Sequence, residues 1–382
     1  MDTTGIICEY NPLHMGHKKQ LDILRRQHPN TGIVCLMSGN FVQRGMPAIV
    51  DKTIRAEAAI RCGADLVLEL PITACLSSAE GFASEGVRIL GGFCTRLYFG
   101  AESGNKESLL DTARVLLSEA FPVALRNHLD QGLSFPAARQ AALADLGADT
   151  TTLSKPNDIL ATEYCKAILQ QGLSMEPMVI RREGGYHDPQ ADGENPSATA
   201  VRRLMLESGA WLDYVPAQTR SLLSQANLHT LSAGEKAILY RLRTMTKAEY
   251  EALPFGSEGL WRKLMHNALS LPTLEEILTA TKSKRYTRTR LDRMVMCAFL
   301  GITQKDMDSP APYVRVLALN DKGREILKAA RETGCFPNAG ENVDSPYQDL
   351  EYLSGMIYSL FSIDASAPYR EEDRRVIYQT TL

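Results

Sequence analysis

Two histidines, His14 and His17, stand three positions apart with Gly16 between them, in the string Asn11-Pro12-Leu13-His14-Met15-Gly16-His17. Each ring can give an N–H hydrogen bond to a phosphate oxygen. Together they can stabilise charge growing on a phosphorus under in-line attack. Their setting favours that chemistry. Residues 5–8 are an apolar run that reads as a buried parallel strand. Asn11-Pro12 breaks it, because the residue before a proline is driven to extended geometry. After Gly16, polar Lys18, Lys19 and Gln20 are followed by Leu21, Ile23 and Leu24, which can face a core, as in a helix. The histidines thus sit where a strand hands over to a helix N-terminus, whose unpaired N–H groups and dipole attract phosphate. Gly16, without a side chain, lets a phosphate or ribose approach the backbone. Two ordinary surface histidines are the competing reading of the same residues.

Four further stretches carry side chains suited to anions. In Ser38-Gly39-Asn40-Phe41-Val42-Gln43-Arg44-Gly45, Gln43 or Arg44 can bind a carboxylate or phosphate and Asn40 can orient it; a plain surface loop is the alternative. Gly100 opens a glycine-rich turn able to hold an adenine or ribose. Arg181 and Arg182, ahead of two glycines, suit a phosphate or base-edge contact, or form a charged loop. In Ser197-Ala198-Thr199-Ala200-Val201-Arg202, hydroxyls at a helix start with Arg202 one turn in would grip phosphates, or simply cap a helix. Asn157 reads as a cap for a helix running to about Gln170.

The elements that must position these residues are legible as alternating apolar runs and helical segments. Strands are expected over residues 5–8, 31–37, 65–70, 96–99 and 178–180. Helices are expected after Gly16 and over residues 52–62 and 79–90. The order β-α-β-α-β-α-β over the first hundred residues predicts an α/β fold with a doubly wound parallel sheet. Such sheets bind ligands at the carboxyl ends of their strands, where the polar loops fall. The pattern then turns mostly helical, apart from one strand near residues 313–319. We therefore expect a catalytic domain over 1–204 and a mostly helical domain over 205–382. Within the latter, residues 282–293 hold six basic side chains and one acid around Tyr286. That composition suits phosphate contacts and base stacking, although a charge run is commonly a solvated face.

Composition sets the outer bounds. The 382 residues are 44% hydrophobic and 23% charged, with a net charge of −3, which argues against bulk nucleic-acid binding but not against a local basic patch. No apolar run approaches the ~20 residues that span a bilayer, and the start lacks a secretory pattern, so a cytoplasmic protein with no membrane partner is expected. The eight cysteines show no metal-ligand or Cys-x-x-Cys spacing and read as reduced, mostly buried thiols.

The string Glu9-Tyr10-Asn11-Pro12-Leu13-His14-Met15-Gly16-His17 resembles the His-x-Gly-His signature of the nucleotidyltransferase superfamily and, more specifically, that of the tRNA(Met) cytidine acetate ligases. Residues 197–202 resemble the superfamily's second signature, Ser-x-Thr-x-x-Arg, and looser matches extend over nearly the whole chain. The resemblance implies a HUP/Rossmann-like nucleotidyltransferase domain. It also implies a reaction: acetate attacks the α-phosphorus of ATP to give acetyl-adenylate, and the wobble cytidine of elongator tRNA(Met) takes the acetyl group as N(4)-acetylcytidine. It assigns catalysis to His14 and His17. ATP would be bound by Ile7, Cys8, Glu9, Tyr10, Gly16, His17, Gly100, Asn157, Arg181, Arg182, Ser197, Thr199 and Arg202. The acid would be held by Asn40, Gln43 and Arg44. RNA would meet Lys282, Lys284, Arg285, Tyr286, Arg288, Arg290 and Arg293. ATP chemistry implies Mg²⁺, for which no carboxylate motif identifies ligands; Glu9 is the nearest candidate. A small-molecule nucleotidyltransferase making a dinucleotide cofactor, and a non-catalytic RNA binder on the same fold, remain the other two readings.

Overall fold

The computed structural model describes residues 1–181, 197–207, 210–283, 286–334, 336, 346–370 and 374–380. The expected apolar runs are strands: β1 (Thr3–Cys8), β2 (Gly32–Ser38), β5 (Leu66–Leu70), β6 (Arg96–Ala101) and β7 (Glu176–Arg181). Between β2 and β5, two short strands, β3 (Phe41–Val42) and β4 (Met46–Pro47), form a separate antiparallel hairpin. The main sheet also takes in β8 (Val316–Leu319) and β9 (Ile377–Tyr378), in the order β7-β6-β1-β2-β5-β8-β9. The pairs among the first five of these strands are parallel; β8 runs antiparallel to β5, and β9 parallel to β8.

Side-chain alternation sends neighbouring residues of each strand to opposite cores. Val34 and Leu36 join helices Ala79–Gly91, Pro156–Gln170 and Asp321–Glu332 on one face. Ile33, Cys35 and Met37 join helices Met15–Gln27 and Lys52–Arg61 on the other. Helices on both faces give the doubly wound α/β architecture. A third core unites the helices between residues 235 and 302 with Phe41, Ile72, Leu76, Tyr358 and Phe361.

The sheet crosses the boundary expected at residue 204. β8 adds to β5, and Asn320, which follows it, is built onto Asp65: its N–H donates to the Asp65 carbonyl at 3.0 Å, and its Nδ2 to Oδ1 at 2.9 Å. Asn320 Oδ1 in turn caps the next helix at Gly323 N–H, 2.9 Å away. A Cβ on Gly323 would lie 2.0 Å from the Asp65 carbonyl oxygen. Gly323→Ala is therefore expected to lower stability by about 1–3 kcal/mol, as for other overpacked sites, read as a lower thermal midpoint. A midpoint equal to wild type would refute this docking. The tail closes the structure a second time: Arg374 Nη1 and Nη2 bind the Asp51 carboxylate at 2.9 and 2.6 Å.

Helix Pro346–Tyr358 brings Glu351 to the start of the segment after β5, where Oε1 accepts from Ile72 N–H and from the Tyr347 hydroxyl, each at 2.8 Å. Burial, reinforced by the Glu69 charge, pushes the Glu351 carboxyl up to about 7. The folded protein then holds a proton that the unfolded chain has released. Stability is full below the ordinary value of 4.5 and declines as pH rises through about 7. Glu351→Gln is expected to flatten that slope and to melt higher than wild type above pH ~7; parallel slopes for the two proteins would contradict it.

Candidate active site

The histidines are built into the first helix as its cap. His14, only 5% exposed, has extended backbone and is the N-cap of Met15–Gln27. Its Nδ1 accepts the Gly16 N–H at 3.1 Å, and His17 Nδ1 accepts the His14 N–H at 3.4 Å, a reciprocal box closed by histidines. The rings stack with centroids 3.8 Å apart. Because each Nδ1 accepts a backbone N–H, a neutral ring carries its proton on Nε2, the donor that phosphate recognition needs. Tyr10 is buried with its ring 5.0 Å from that of His17, and Ile7, Cys8 and Glu9 are half-buried. The Gly16 N–H expected to face phosphate is given to His14 in this structure.

The second signature comes to the first across 191 residues. Arg202, in helix Ala198–Glu207, donates from Nη1 to the Asn11 carbonyl at 2.7 Å and from Nη2 to Thr199 Oγ1 at 3.0 Å. Ser197 caps this helix, accepting the Ala200 N–H at 3.1 Å.

The turn that follows Gly100 and the start of the helix that holds Asn157 are also brought together, through residues the sequence did not single out. Helix Pro156–Gln170 takes Lys155 as its N-cap, so Asn157 is not the cap. Instead its Nδ2 donates to Glu102 Oε1 at 2.7 Å, and Asp158 N–H donates to Glu102 Oε2 at 2.9 Å. In return the Asp158 carboxylate accepts Ser103 N–H and Oγ–H, each at 3.0 Å. Glu102, Ser103 and Asp158 are thus the unforeseen fixers of this turn; two acids beside Gly100 and Asn157 were the available signal. Arg181, exposed at the end of β7, is in register with Ala101. Arg182 lies outside the described residues.

Asn40 is buried. Its Oδ1 accepts the Lys52 N–H at 2.9 Å, and its Nδ2 has no partner among the described residues. The Gln43 N–H donates to Glu9 Oε1 at 2.9 Å, tying this loop to the turn that leads to His14. Arg44 is half-buried, and Gly45, with φ +73°, is pressed against the backbone of Asp292 and Arg293; a Cβ there would fall 2.5 Å from Arg293 N. The loop and the basic run therefore touch.

Within that run the cations are largely engaged. Arg288 forks onto Glu275 with two 2.7 Å bonds and reaches Asp292 at 2.8 Å. Arg290 donates to the Phe255 carbonyl at 2.7 and 3.0 Å and lies over the Tyr286 ring. Arg293 lies over the Phe255 ring. Tyr286 gives its hydroxyl to Glu258 at 3.0 Å, and Lys282 is exposed; Lys284 and Arg285 lie outside the described residues.

Among the described residues no three His, Cys, Asp or Glu side chains gather as a metal cage. One oxygen of Glu9, the nearest candidate, is occupied by Gln43 N–H. The described residues thus do not form an all-protein Mg²⁺ site. The seven described cysteines are free thiols, and burial pushes Cys62, Cys75 and Cys165 up to about 12, so none of these three is a nucleophile. No helix among the described residues is long and apolar enough to cross a membrane.

The site lies where the sheet reverses direction: from β1, the chain order runs out through β2 and β5 on one side and through β6 and β7 on the other. This is the topological switch point at which open α/β sheets bind ligands. The HIGH Nucleotidyl Transferase family model matches residues 1–371. The tRNA(Met) cytidine acetate ligase of Clostridium novyi is 37% identical over 357 residues, spanning 88% of this chain and 89% of the relative. That of Clostridium acetobutylicum is 36% identical over 360 residues, with 88% and 89% covered. Crystal structures of Thermotoga maritima TmcAL cover the full length of both chains: the apo form has TM-score 0.90 and 30% identity, and the form bound with alpha-thio ATP has 0.87 and 29%. The chain belongs to the HIGH nucleotidyl transferases and, within them, to the tRNA(Met) cytidine acetate ligase family.

Proposed function

We propose that this protein is an ATP-dependent ligase that activates acetate and acetylates the wobble cytidine of elongator tRNA(Met). The observation that carries the reading is the bond from Arg202 to the Asn11 carbonyl, which joins the two signatures in one site beside His14. The name of the Clostridium relatives supports the reaction, and the alpha-thio ATP complex of the Thermotoga protein supports ATP as substrate. An acetate oxygen attacks the α-phosphorus and pyrophosphate leaves. The cytidine N4 amine then attacks the acetyl carbon, losing a proton as AMP departs. The protein supplies position and charge stabilisation, with no covalent step of its own. His14 and His17 stabilise the phosphates through Nε2–H. Arg202, Ser197 and Thr199 close over them, and Arg181 and Arg182 are assigned to further phosphate contacts. Gly100 and Asn157 hold the nucleoside, Asn40, Gln43 and Arg44 the acid. Mg²⁺ brought by ATP would supply screening of the phosphate charge, with ATP rather than a protein cage as its ligand.

The helical half, 205–382, serves as the tRNA-binding unit. We assign Lys282, which is exposed, and Lys284 and Arg285 of its basic run to RNA phosphates, while Arg288, Arg290 and Arg293 hold the segment beside the acid-binding loop. The reaction runs in the cytoplasm.

The test is incubation with ATP, Mg²⁺ and radiolabelled acetate, with and without bulk tRNA from cells lacking this gene, followed by digestion to nucleosides. Label in N(4)-acetylcytidine is the expected result. Correctly folded protein and competent tRNA giving no label would sink the assignment.

A further inference from the structure

Arg55 is the most completely buried charged side chain described here, at 0% exposure, and no bond it makes goes to a carboxylate. Nε donates to the Val50 carbonyl at 3.0 Å. Nη1 donates to the Glu9 carbonyl at 2.6 Å and to the Ser38 carbonyl at 3.0 Å, and Nη2 to the Gly39 carbonyl. A buried guanidinium with no carboxylate bonded to it is costly unless its donors are satisfied; Asp51 and Glu9 favour its charge only through space. Here they are satisfied by backbone: the Val50 carbonyl just ahead of the helix that carries Arg55, and three carbonyls at the carboxyl ends of β1 and β2.

The location explains the use. β1 and β2 pair as far as Cys8 and Met37 and then part. Glu9 leads into the turn that ends on His14, and Ser38 and Gly39 lead to Asn40. Past the last rung of the ladder, nothing in the sheet fixes the distance between these turns. The rigid fork of an arginine can, because its nitrogens have a set geometry that a lysine lacks. We propose that Arg55 is a positioning residue for adenylate formation: it sets the spacing between the ATP-bearing turn and the acid-bearing turn, so that the carboxylate faces the α-phosphorus. This rests on the ligase reading above. Arg55 need touch neither substrate. Its role is to keep two bound reactants at attack distance, where a misplacement of about 1 Å costs on the order of 100-fold in rate.

The test uses the full chain and measures acetate-dependent pyrophosphate release. Arg55→Lys keeps the charge and loses the fork; Arg55→Gln loses both but can still donate. Both are expected to lower kcat by about 10- to 100-fold, with KM for ATP and for acetate each within about threefold of wild type, because each half-site remains whole. A core variant of the helical half at a residue with no assigned role in the site, Leu264→Ala, matched in loss of thermal midpoint and assayed at the same margin below it, is expected to keep its kcat. A folded Arg55→Lys with kcat within threefold of wild type, or one whose kcat loss equals that of Leu264→Ala, overturns the proposal. So does a loss that falls entirely in KM. Should neither Arg55 variant fold, Gln43→Pro removes another bond across the same two turns, with Gln43→Ala as its side-chain control. A kcat equal for those two also overturns it. Wild-type protein that releases no acetate-dependent pyrophosphate would instead fail the ligase reading itself.

Discussion

His14→Asn is expected to fold like the wild type and to release acetate-dependent pyrophosphate about 100- to 1,000-fold more slowly, the loss typical when one donor to a charged transition state is removed. Asparagine is among the best N-cap residues, and its side-chain oxygen can take the backbone N–H that His14 Nδ1 accepts from Gly16. It cannot supply the ring Nε2–H. The asparagine variant thus separates two roles that one side chain fills here. His14→Ala loses both, and should lose about 1 kcal/mol of stability in addition. His17→Ala should resemble it in activity, since His17 Nδ1 closes the reciprocal half of the box. Thermal midpoints beside turnover at saturating ATP and acetate check the pair. If His14→Asn keeps more than a tenth of wild-type turnover, the histidine is a cap and little else.

The largest stability effect is expected at Lys52. Its ammonium binds both oxygens of Glu69, at 2.7 and 2.8 Å, with the two side chains 2% and 5% exposed. Burial pushes the Glu69 carboxyl up, but Lys52 and Arg315 outweigh it, and the group stays below its ordinary value of 4.5. Its contribution is therefore present above about pH 4.5 and lost as acid protonates it. Lys52→Met should cost about 3–5 kcal/mol near neutral pH, because it strands a buried carboxylate whose remaining cation, Arg315, is 3.5 Å away. Removing both charges, in Lys52→Met with Glu69→Leu, should recover much of that loss. Urea unfolding decides it: a single variant as stable as the wild type, or a double variant no better than the single, contradicts the account. The pair also stands behind Asn40 and Gly39. The Lys52 N–H donates to Asn40, and a Cβ on Gly39 would lie 2.4 Å from Glu69 Oε1. The single variant should therefore weaken the acid-bearing loop as well as the fold.

Local chemistry carried much of the way from sequence to site. The apolar runs read as strands because β-branched residues at strand length, bounded by turn residues, favour a sheet; β1, β2 and β5 are mostly buried, while β7 is largely half-buried. The strand expected at residues 31–37 is Gly32–Ser38, and that expected at 96–99 is Arg96–Ala101. The first helix was legible after Gly16 from the spacing of Leu21, Ile23 and Leu24; that His14 and His17 cap it came only from the structure, which starts the helix at Met15. β3 and β4 went unseen because strands of two residues have no periodicity to read. β9 went unseen because its Ile377-Tyr378 pair has no apolar run around it.

The sequence by itself determined the α/β pattern, the strand-to-helix turn at His14 and the two signatures, since each is set by neighbours along the chain. Only the tertiary structure decided what each charge is for. Arg202 meets Asn11 across 191 residues, Arg55 bridges turns that no spacing relates, and β8 returns to β5 through Asn320 and Asp65. The basic run shows the same limit from the other side. Its composition suited RNA, yet Arg288 and Arg290 are bound to Glu275, Asp292 and the Phe255 carbonyl. A cation's charge is written in the sequence. Its partner is chosen by which carboxylates and carbonyls the fold brings within ~3 Å, and those lie anywhere along the chain.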